Sequence, residues 1–322
     1  MVHAIRVHEA GGPEVLQWEQ VEVGEPGPGQ VRLRQHAVGL NYIDVYHRTG
    51  LYPQPLPFTP GTEGAGTVEA LGEGVGLKVG DRVAYAGPIG GYAEERLIDA
   101  DRLVKLPDKI SFEQAAAMML QGMTVHMLLR AVHKVQPGET ILVHAAAGGV
   151  GLIMCQWAKA LGATVIGTVS TGEKAEMARA HGCDHPILYT SQDFVAEVDQ
   201  ITDGAKLPVI YDSVGKDTFL KSLDCLRPRG LMVSYGNASG PPDPFPPGLL
   251  AQKGSLFLTR PTLFHYIAAR DELEQAASEL FDLVLCGKVK IEIGQTLALK
   301  DAAKAHRALE GRTTTGSTVL TV

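Results

Sequence analysis

Between Ile141 and Thr171 the chain runs an apolar strand (Ile141 to His144), a loop of small residues, an amphipathic helix from about Val150 to Leu161, and a second apolar strand from Ala163 to Thr168. This is a βαβ unit with a phosphate loop. Aligned on the dinucleotide fingerprint G-x-G-x-x-G, the loop reads Ala146-x-Gly148-x-x-Gly151, with alanine in the first glycine position. Small side chains let the backbone turn tightly and approach a pyrophosphate. The free N–H groups and the dipole at the following helix N-terminus favour its negative charge. The same glycines would also serve close helix–strand packing alone, but the strand before and the helix after supply the context that a phosphate loop needs.

An NAD-binding version of this unit carries Asp or Glu at the end of its second strand to hold the ribose 2′-hydroxyl. Here that stretch is Val169-Ser170-Thr171-Gly172-Glu173-Lys174, with no carboxylate at the strand end. Ser170 and Lys174 can both donate to a 2′-phosphate, so NADP(H) is the expected cofactor. The competing reading makes Lys174 a solvated residue that opens the next helix, Lys174 to His181, with Glu173 as an ordinary first-turn acid.

A chain of 322 residues that is 45% hydrophobic can bury a full core and form two domains. Its formal net charge of −7 argues against a nucleic acid or an anionic membrane surface as partner, because both need a basic footprint. No apolar run approaches the length of a membrane span. Met1 to Val7 alternate like a strand and lack the apolar centre of a signal peptide, so the expected compartment is the cytoplasm. Cys155, Cys183, Cys225 and Cys286 are widely spaced, which reads as four small core residues and not as a disulfide framework or zinc lobe. His181-Gly182-Cys183-Asp184-His185 offers metal-ligand types, but Gly182 and Pro186 mark it as a helix-to-strand turn.

The first third is rich in Gly, Pro and short alternating runs. Val15 to Val23, Gln30 to Val38, Gly66 to Leu71, Asp81 to Ala86 and Tyr92 to Ile98 read as strands, with one helix from Ile43 to Arg48. A helical stretch from Phe112 to Val132 leads into the βαβ unit. Strands at 141–144, 163–168, 187–189, 207–212, 230–235 and 256–259 then alternate with helices, which predicts a doubly wound parallel sheet. The Pro-rich loop Gly240 to Gly248 follows Gly236-Asn237-Ala238-Ser239, beside the C-terminal end of a central strand. After a helix from Arg270 to Cys286, strands near Val289 to Leu297 and Ser317 to Val322 are expected to return to the first domain, leaving a cleft at the boundary. The predicted division is 1–123, 124–262 and 263–322.

Gly138-Glu139-x-x-Leu142-x-x-x-Ala146-Ala147-Gly148-Gly149-x-Gly151-x-x-x-x-Gln156-x-x-Lys159 resembles the signature of the quinone oxidoreductase and zeta-crystallin group of medium-chain dehydrogenases/reductases. The resemblance extends through Asn41-Tyr42-Ile43-Asp44-x-Tyr46-x-Arg48-x-Gly50-x-Tyr52, Gly61-Thr62-Glu63-x-x-Gly66, Gly80-Asp81-Arg82-Val83, Tyr211-Asp212-Ser213-Val214-Gly215 and Arg260-Pro261. It implies an α/β fold in which a Rossmann six-stranded parallel sheet accompanies a GroES-like, mainly β catalytic domain, with NADPH as reductant. Zinc alcohol dehydrogenases of that superfamily carry His where Thr62 stands and Cys where the Asn41 to Asp44 segment lies. Thr and Asn are poor zinc ligands, so no metal is expected. A quinone, which needs little polarisation, is then the expected acceptor.

The same resemblance implies site residues. Asn41, Tyr46 and Tyr52 would line the cleft near the nicotinamide, the tyrosines offering flat faces and phenolic donors. Gly148, Gly149, Val150 and Gly151 would meet the pyrophosphate. Ser170, Lys174, Tyr189 and Arg312 would meet the 2′-phosphate, and Thr124, Ser213, Tyr235, Asn237 and Arg260 other parts of the cofactor. His47 and Arg48 read as solvated or structural, Arg48 as a possible tether for the loop. Solvent suffices to protonate the reduced quinone. The alternatives are a reductase of conjugated enones or enals in the same site and a non-enzymatic RNA-binding or crystallin-like role. A homodimer through the apolar edge strand Leu256 to Thr259 is also implied.

Overall fold

The computed structural model describes residues 1–322. The strands in chain order are β1 (Val2–Arg6), β2 (Gln17–Val21), β3 (Gln30–Leu40), β4 (Glu63–Leu71), β5 (Arg82–Ala86), β6 (Glu95–Asp99) and β7 (Val104–Lys105). There follow β8 (Thr140–Val143), β9 (Thr164–Val169), β10 (His185–Leu188), β11 (Leu207–Asp212), β12 (Leu226–Ser234), β13 (Phe257–Thr259), β14 (Ile293–Ala298) and β15 (Ser317–Thr321). Two compact units result. Met1–Met123, Ile267–Leu285 and Ile291–Val322 form the first, and Thr124–Tyr266 with Cys286–Lys290 the second.

The first unit is built on a seven-stranded sheet, β14-β15-β3-β4-β5-β7, with β6 also paired to β3. β3 is long enough to hold two partners on one side, β6 along Gln30–Arg34 and β15 along Ala37–Leu40. Its first half buries Val31, Leu33 and Gln35 alternately, as a half-covered strand should. From Ala37 onward every residue is buried, because a second core of Ile5, Val7, Phe58, Tyr92, Leu299 and Leu320 covers the other face. The chain's final strand thus does return to this sheet.

The second unit carries a six-stranded sheet in the order β10-β9-β8-β11-β12-β13, parallel throughout. Its central strands β8, β9 and β11 are nearly unbroken buried runs, as burial on both faces requires, and Leu142, Ile166, Ile187, Ile210 and Met232 share one core. Strand order reverses between β8 and β11, the position at which ligands bind in such sheets.

Several expectations are corrected. Phe112 to Val132 is three pieces: a helix Phe112–Ala116 with a Ser111/Gln114 capping box, a helix Met119–His126, and a π-helical turn Met127–Val132. Val15 closes a 3₁₀ turn begun by Pro13, so β2 starts only at Gln17. Tyr92 lies in the loop before β6. The strand ahead of the Pro-rich loop, β12, is next to the sheet's edge and not central. Cys155, Cys183 and Cys225 are buried, but Cys286 is exposed. His181 to Asp184 is the expected turn, with Asp184 bonded to Lys159 at 2.6 Å. No helix is long and apolar enough to cross a membrane.

Candidate active site

In the second unit the predicted cofactor residues other than Thr124 follow the carboxyl ends of the parallel strands. β8 ends at Val143, Ala145 turns the chain with φ of 55°, and Gly148 is the N-cap of the helix Gly149–Ala160. Leu152 N–H donates to Gly148 O at 2.9 Å, the first bond of that helix. The N–H groups of Gly149, Val150 and Gly151 therefore precede the helical ladder and remain for an anion. Gly151 is required sterically: a Cβ there would sit 2.3 Å from Ala145 O. Ala146, in place of the fingerprint's first glycine, is accommodated across the sheet by Gly167, where a Cβ would fall 2.6 Å from the Ala146 methyl.

Ser170 follows β9. Thr171 caps the helix Gly172–Ala180 by accepting from Lys174 N–H at 3.2 Å, so this helix starts two residues earlier than expected, with Lys174 half-buried in its first turn. Tyr189 follows β10 and is exposed. Ser213 follows β11, where the Asp212 carboxylate accepts from the N–H groups of Val214 at 2.7 Å and Gly215 at 3.1 Å. Tyr235 and Asn237 follow β12, and Gly236 between them lets the two loops touch, since a Cβ there would be 2.4 Å from Ser213 O. Arg260 follows β13 and donates to Ser234 O at 2.8 Å. Thr124 lies half-buried in the helix Met119–His126.

In the first unit, Asn41 is the N-cap of the helix Tyr42–Arg48, its backbone N–H donating to Asp44 Oδ2 at 2.9 Å. The ring of Tyr46 meets that of Tyr52 edge-on at 5.1 Å, and Tyr52 N–H donates to Tyr46 O, so these two predicted residues pack together. Arg312 lies in this unit too, exposed in the turn after the helix Ala302–Glu310, with φ of 56°.

Around Asn41 lies a buried polar network beyond the expectations drawn from sequence. Asn41 Nδ2 donates to Glu63 Oε1 at 2.5 Å, and Leu120 N–H donates to Glu63 Oε2 at 2.7 Å. Gln121 Nε2 donates to Asn41 Oδ1 at 3.2 Å. Tyr92 OH donates to Asp44 at 3.1 Å and lies 3.3 Å from His306 Nε2. Burial pushes Asp44 up to about 7 and Glu63 up to about 8, against the hydrogen bonds each accepts. Burial holds His306 down at about 3, helped by the neighbouring Arg48 cation. Asn41-x-x-Asp44 is a legible capping signal, and Glu63 stood within a motif. Gln121 and His306 carried no local signal.

His47 and Arg48 are not solvated. Burial lowers His47 to about 4. Arg48 is 1% exposed; it pairs with Glu310 through two bonds of 2.8 and 3.0 Å and donates to Gly11 O at 3.0 Å, tying the first loop to the last helix. The positions that zinc relatives use do not fit a metal: Thr62 Oγ1 faces Asp44 and the Asn41 amide faces Glu63, and no group of three or more His, Cys, Asp or Glu could hold an ion.

A GroES-like β unit with a doubly wound, phosphate-loop unit defines a nicotinamide-dependent medium-chain dehydrogenase or reductase. Residues 27–108 match the alcohol dehydrogenase GroES-like domain and residues 149–282 the zinc-binding dehydrogenase family. The chain is 55% identical to a quinone oxidoreductase of Pseudomonas aeruginosa over 99% of both chains. It is 50% identical to a 2-haloacrylate reductase of a Burkholderia species, again over 99% of both. The crystal structure of Escherichia coli quinone oxidoreductase complexed with NADPH superposes with a TM-score of 0.97 at 49% identity, covering 99% of this chain and 100% of that one. The chain belongs to the quinone oxidoreductase group of the medium-chain dehydrogenase/reductase superfamily.

Proposed function

We propose that this chain reduces quinones with NADPH by direct hydride transfer. The observation that carries the reading is the phosphate loop at the reversal point of the parallel sheet, in a chain that shares about half its residues with quinone oxidoreductases along its whole length. Bound NADPH supplies a hydride from nicotinamide C4. The N–H groups of Gly149, Val150 and Gly151 bind the pyrophosphate. Ser170, Lys174 and Tyr189, with Arg312, bind the 2′-phosphate, where a cation–phosphate pair is a strong charge-assisted contact. Thr124, Ser213, Tyr235, Asn237 and Arg260 orient the rest of the cofactor.

On the acceptor side, the half-buried ring of Tyr52, with Tyr46 edge-on against it, offers a face to a planar ring, and the Asn41 amide donates to its oxygen. With Asn and Thr where a Lewis acid would need thiolate and imidazole, the acceptor must already be electron-poor, as a quinone is. The test is loss of NADPH absorbance with a panel of benzoquinones, naphthoquinones and enals. Turnover with quinones is expected, and no NADPH consumption with any quinone would end the proposal.

The chain works in the cytoplasm as a homodimer. Four free thiols support a reducing compartment. Strand β13 supports the dimer: it closes one edge of the parallel sheet with Phe257 60% and Leu258 38% exposed, and such an edge invites pairing. Light scattering of the purified chain tests this, and a monomer at micromolar concentration would refute it.

A further inference from the structure

Asn41 is one member of a line of four buried polar side chains, and the other three have no role in the reaction as described so far. Ser317 Oγ, at the start of β15, lies 2.8 Å from Gln121 Oε1 and 2.9 Å from the carbonyl of Ala117. Gln121 donates to Asn41 and Asn41 to Glu63, and Leu120 N–H closes the line on the second carboxylate oxygen. Glu63 is fully buried, Ser317 and Gln121 nearly so, and Asn41 is the most accessible of the four at 8%.

The two ends of a side-chain amide are opposites, one a donor and one an acceptor. Leu120 N–H can only donate and Ala117 O can only accept, whereas a serine hydroxyl can do either. The line therefore has two complete arrangements. In the observed one, Ser317 donates to Gln121, Gln121 Nε2 to Asn41 Oδ1, and Asn41 Nδ2 to a carboxylate at Glu63. In the other, a donor at the Glu63 Oε1 position bonds Asn41 Oδ1, Asn41 Nδ2 bonds Gln121 Oε1, Gln121 Nε2 bonds Ser317 Oγ, and the serine hydrogen goes to Ala117 O. The amides of Asn41 and Gln121 are paired in both; in the observed one the single serine hydrogen serves Gln121 and not Ala117 O, so the line by itself does not favour the observed sense.

We propose that Glu63 is a positioning residue whose negative charge selects the observed arrangement, so that Asn41 presents its one unengaged N–H to the quinone oxygen on which charge develops. The second arrangement would place a lone pair there instead. Gln121 and Ser317 complete the line and follow whichever sense Glu63 sets. This rests on the reading that Asn41 borders the acceptor. In the reaction a hydride adds to the quinone with its electron pair, an oxygen takes the charge, and water later supplies the proton. A donor poised at that oxygen acts on the transition state, and removing one such donor costs on the order of 100-fold in kcat.

The groups facing Glu63 are the Asn41 amide and the Asp44 carboxyl on one helix, Leu120 N–H on another, and the phenols of Tyr85 on β5 and Tyr92 in its loop. Both phenols are pushed up by burial and stay neutral. Asp44 lies near enough to oppose the Glu63 charge. Protonation would give Glu63 the donor that the second arrangement needs.

The decisive variant is Glu63→Gln, isosteric and uncharged. Its amide oxygen must take Leu120 N–H, so its NH₂ faces Asn41 and reverses the line with no bond lost. The expected result, compared at about pH 9 where Glu63 is ionised, is a thermal midpoint equal to or above wild type, an NADPH Kd within about twofold, a quinone kcat lower by about 100-fold, and an enlarged isotope effect with deuterated NADPH. A kcat within threefold of wild type overturns the proposal. Should the variant not fold, the wild-type profile decides: kcat rising through one ionisation between pH 6 and 9 supports it, and a flat profile overturns it. Wild-type protein inactive with every quinone would instead remove the proposed function itself.

Discussion

Replacing Gly151 by alanine isolates the phosphate loop from everything else in the fold. The new Cβ would lie 2.3 Å from Ala145 O and 2.7 Å from Ala146 C, both backbone atoms that no rotamer change can move. Ordinary contact needs about 3.4 Å, so the helix N-terminus must retreat by about 1 Å, at an overpacking cost of about 1–3 kcal/mol. Hydrogen bonds from its N–H groups to a phosphate, near 2.9 Å when formed, do not survive that displacement. Each charge-assisted bond is worth about 1.5–3 kcal/mol, so losing two weakens NADPH by at least about 100-fold. The assay is fluorescence titration of NADPH, run beside a thermal melt. Gly148→Ala is the companion: its Cβ would meet Ala145 O at 3.3 Å, with φ of −80°, so that variant should keep its melting temperature. If Gly151→Ala binds NADPH within threefold of wild type, the steric account of the loop is wrong.

Other perturbations test other parts. Lys174→Ala should raise the NADPH KM about tenfold, equivalent to about 1.4 kcal/mol, and leave the NADH KM within about twofold; equal losses would contradict a 2′-phosphate contact. Arg48→Met strips a buried cation from Glu310 and Gly11 and should cost about 3 kcal/mol in urea denaturation, whereas a change below about 0.5 kcal/mol would refute its role as a tether. The pH dependence of stability has a definite sign. Asp44, held up at about 7, and Glu63, at about 8, keep protons that the unfolded chain has lost, so stability falls as pH rises toward those values. His306, held down at about 3, and His47, at about 4, work the opposite way only below their ordinary value of 6.5. Melting temperature should therefore decline between pH 6.5 and 8, and a rise there would refute the buried-carboxyl assignment.

The second unit was largely legible in the sequence because its signals are local. A parallel strand buried on both faces is a short apolar run, a phosphate loop is a run of small residues, and alternation of the two gives the sheet. Ser170, Ser213, Tyr235 and Arg260 could be placed because each follows such a run directly. The first unit was less legible. Its strands pair across long separations, so alternation alone makes Tyr92 and Val15 read as strand residues, although one sits in a loop and the other in a 3₁₀ turn. Burial of charge was the least visible property. Arg48 lies in a polar-looking helix, and its burial depends on Glu310 and Gly11, residues that only the folded chain brings together. Gln121 sits in an apolar helix as an isolated polar residue, and nothing nearby in sequence announces Asn41 as its partner.

Strand β15 lies between β14 and β3, so a sheet begun by β3 is closed by residues that follow the whole dinucleotide-binding unit in the sequence. During synthesis the Ala37–Leu40 half of β3 must wait unpaired on that side while the dinucleotide-binding unit emerges. A nascent chain halted before Ser317 would thus carry a finished cofactor scaffold joined to an open sheet, and quality-control proteases would meet that half first.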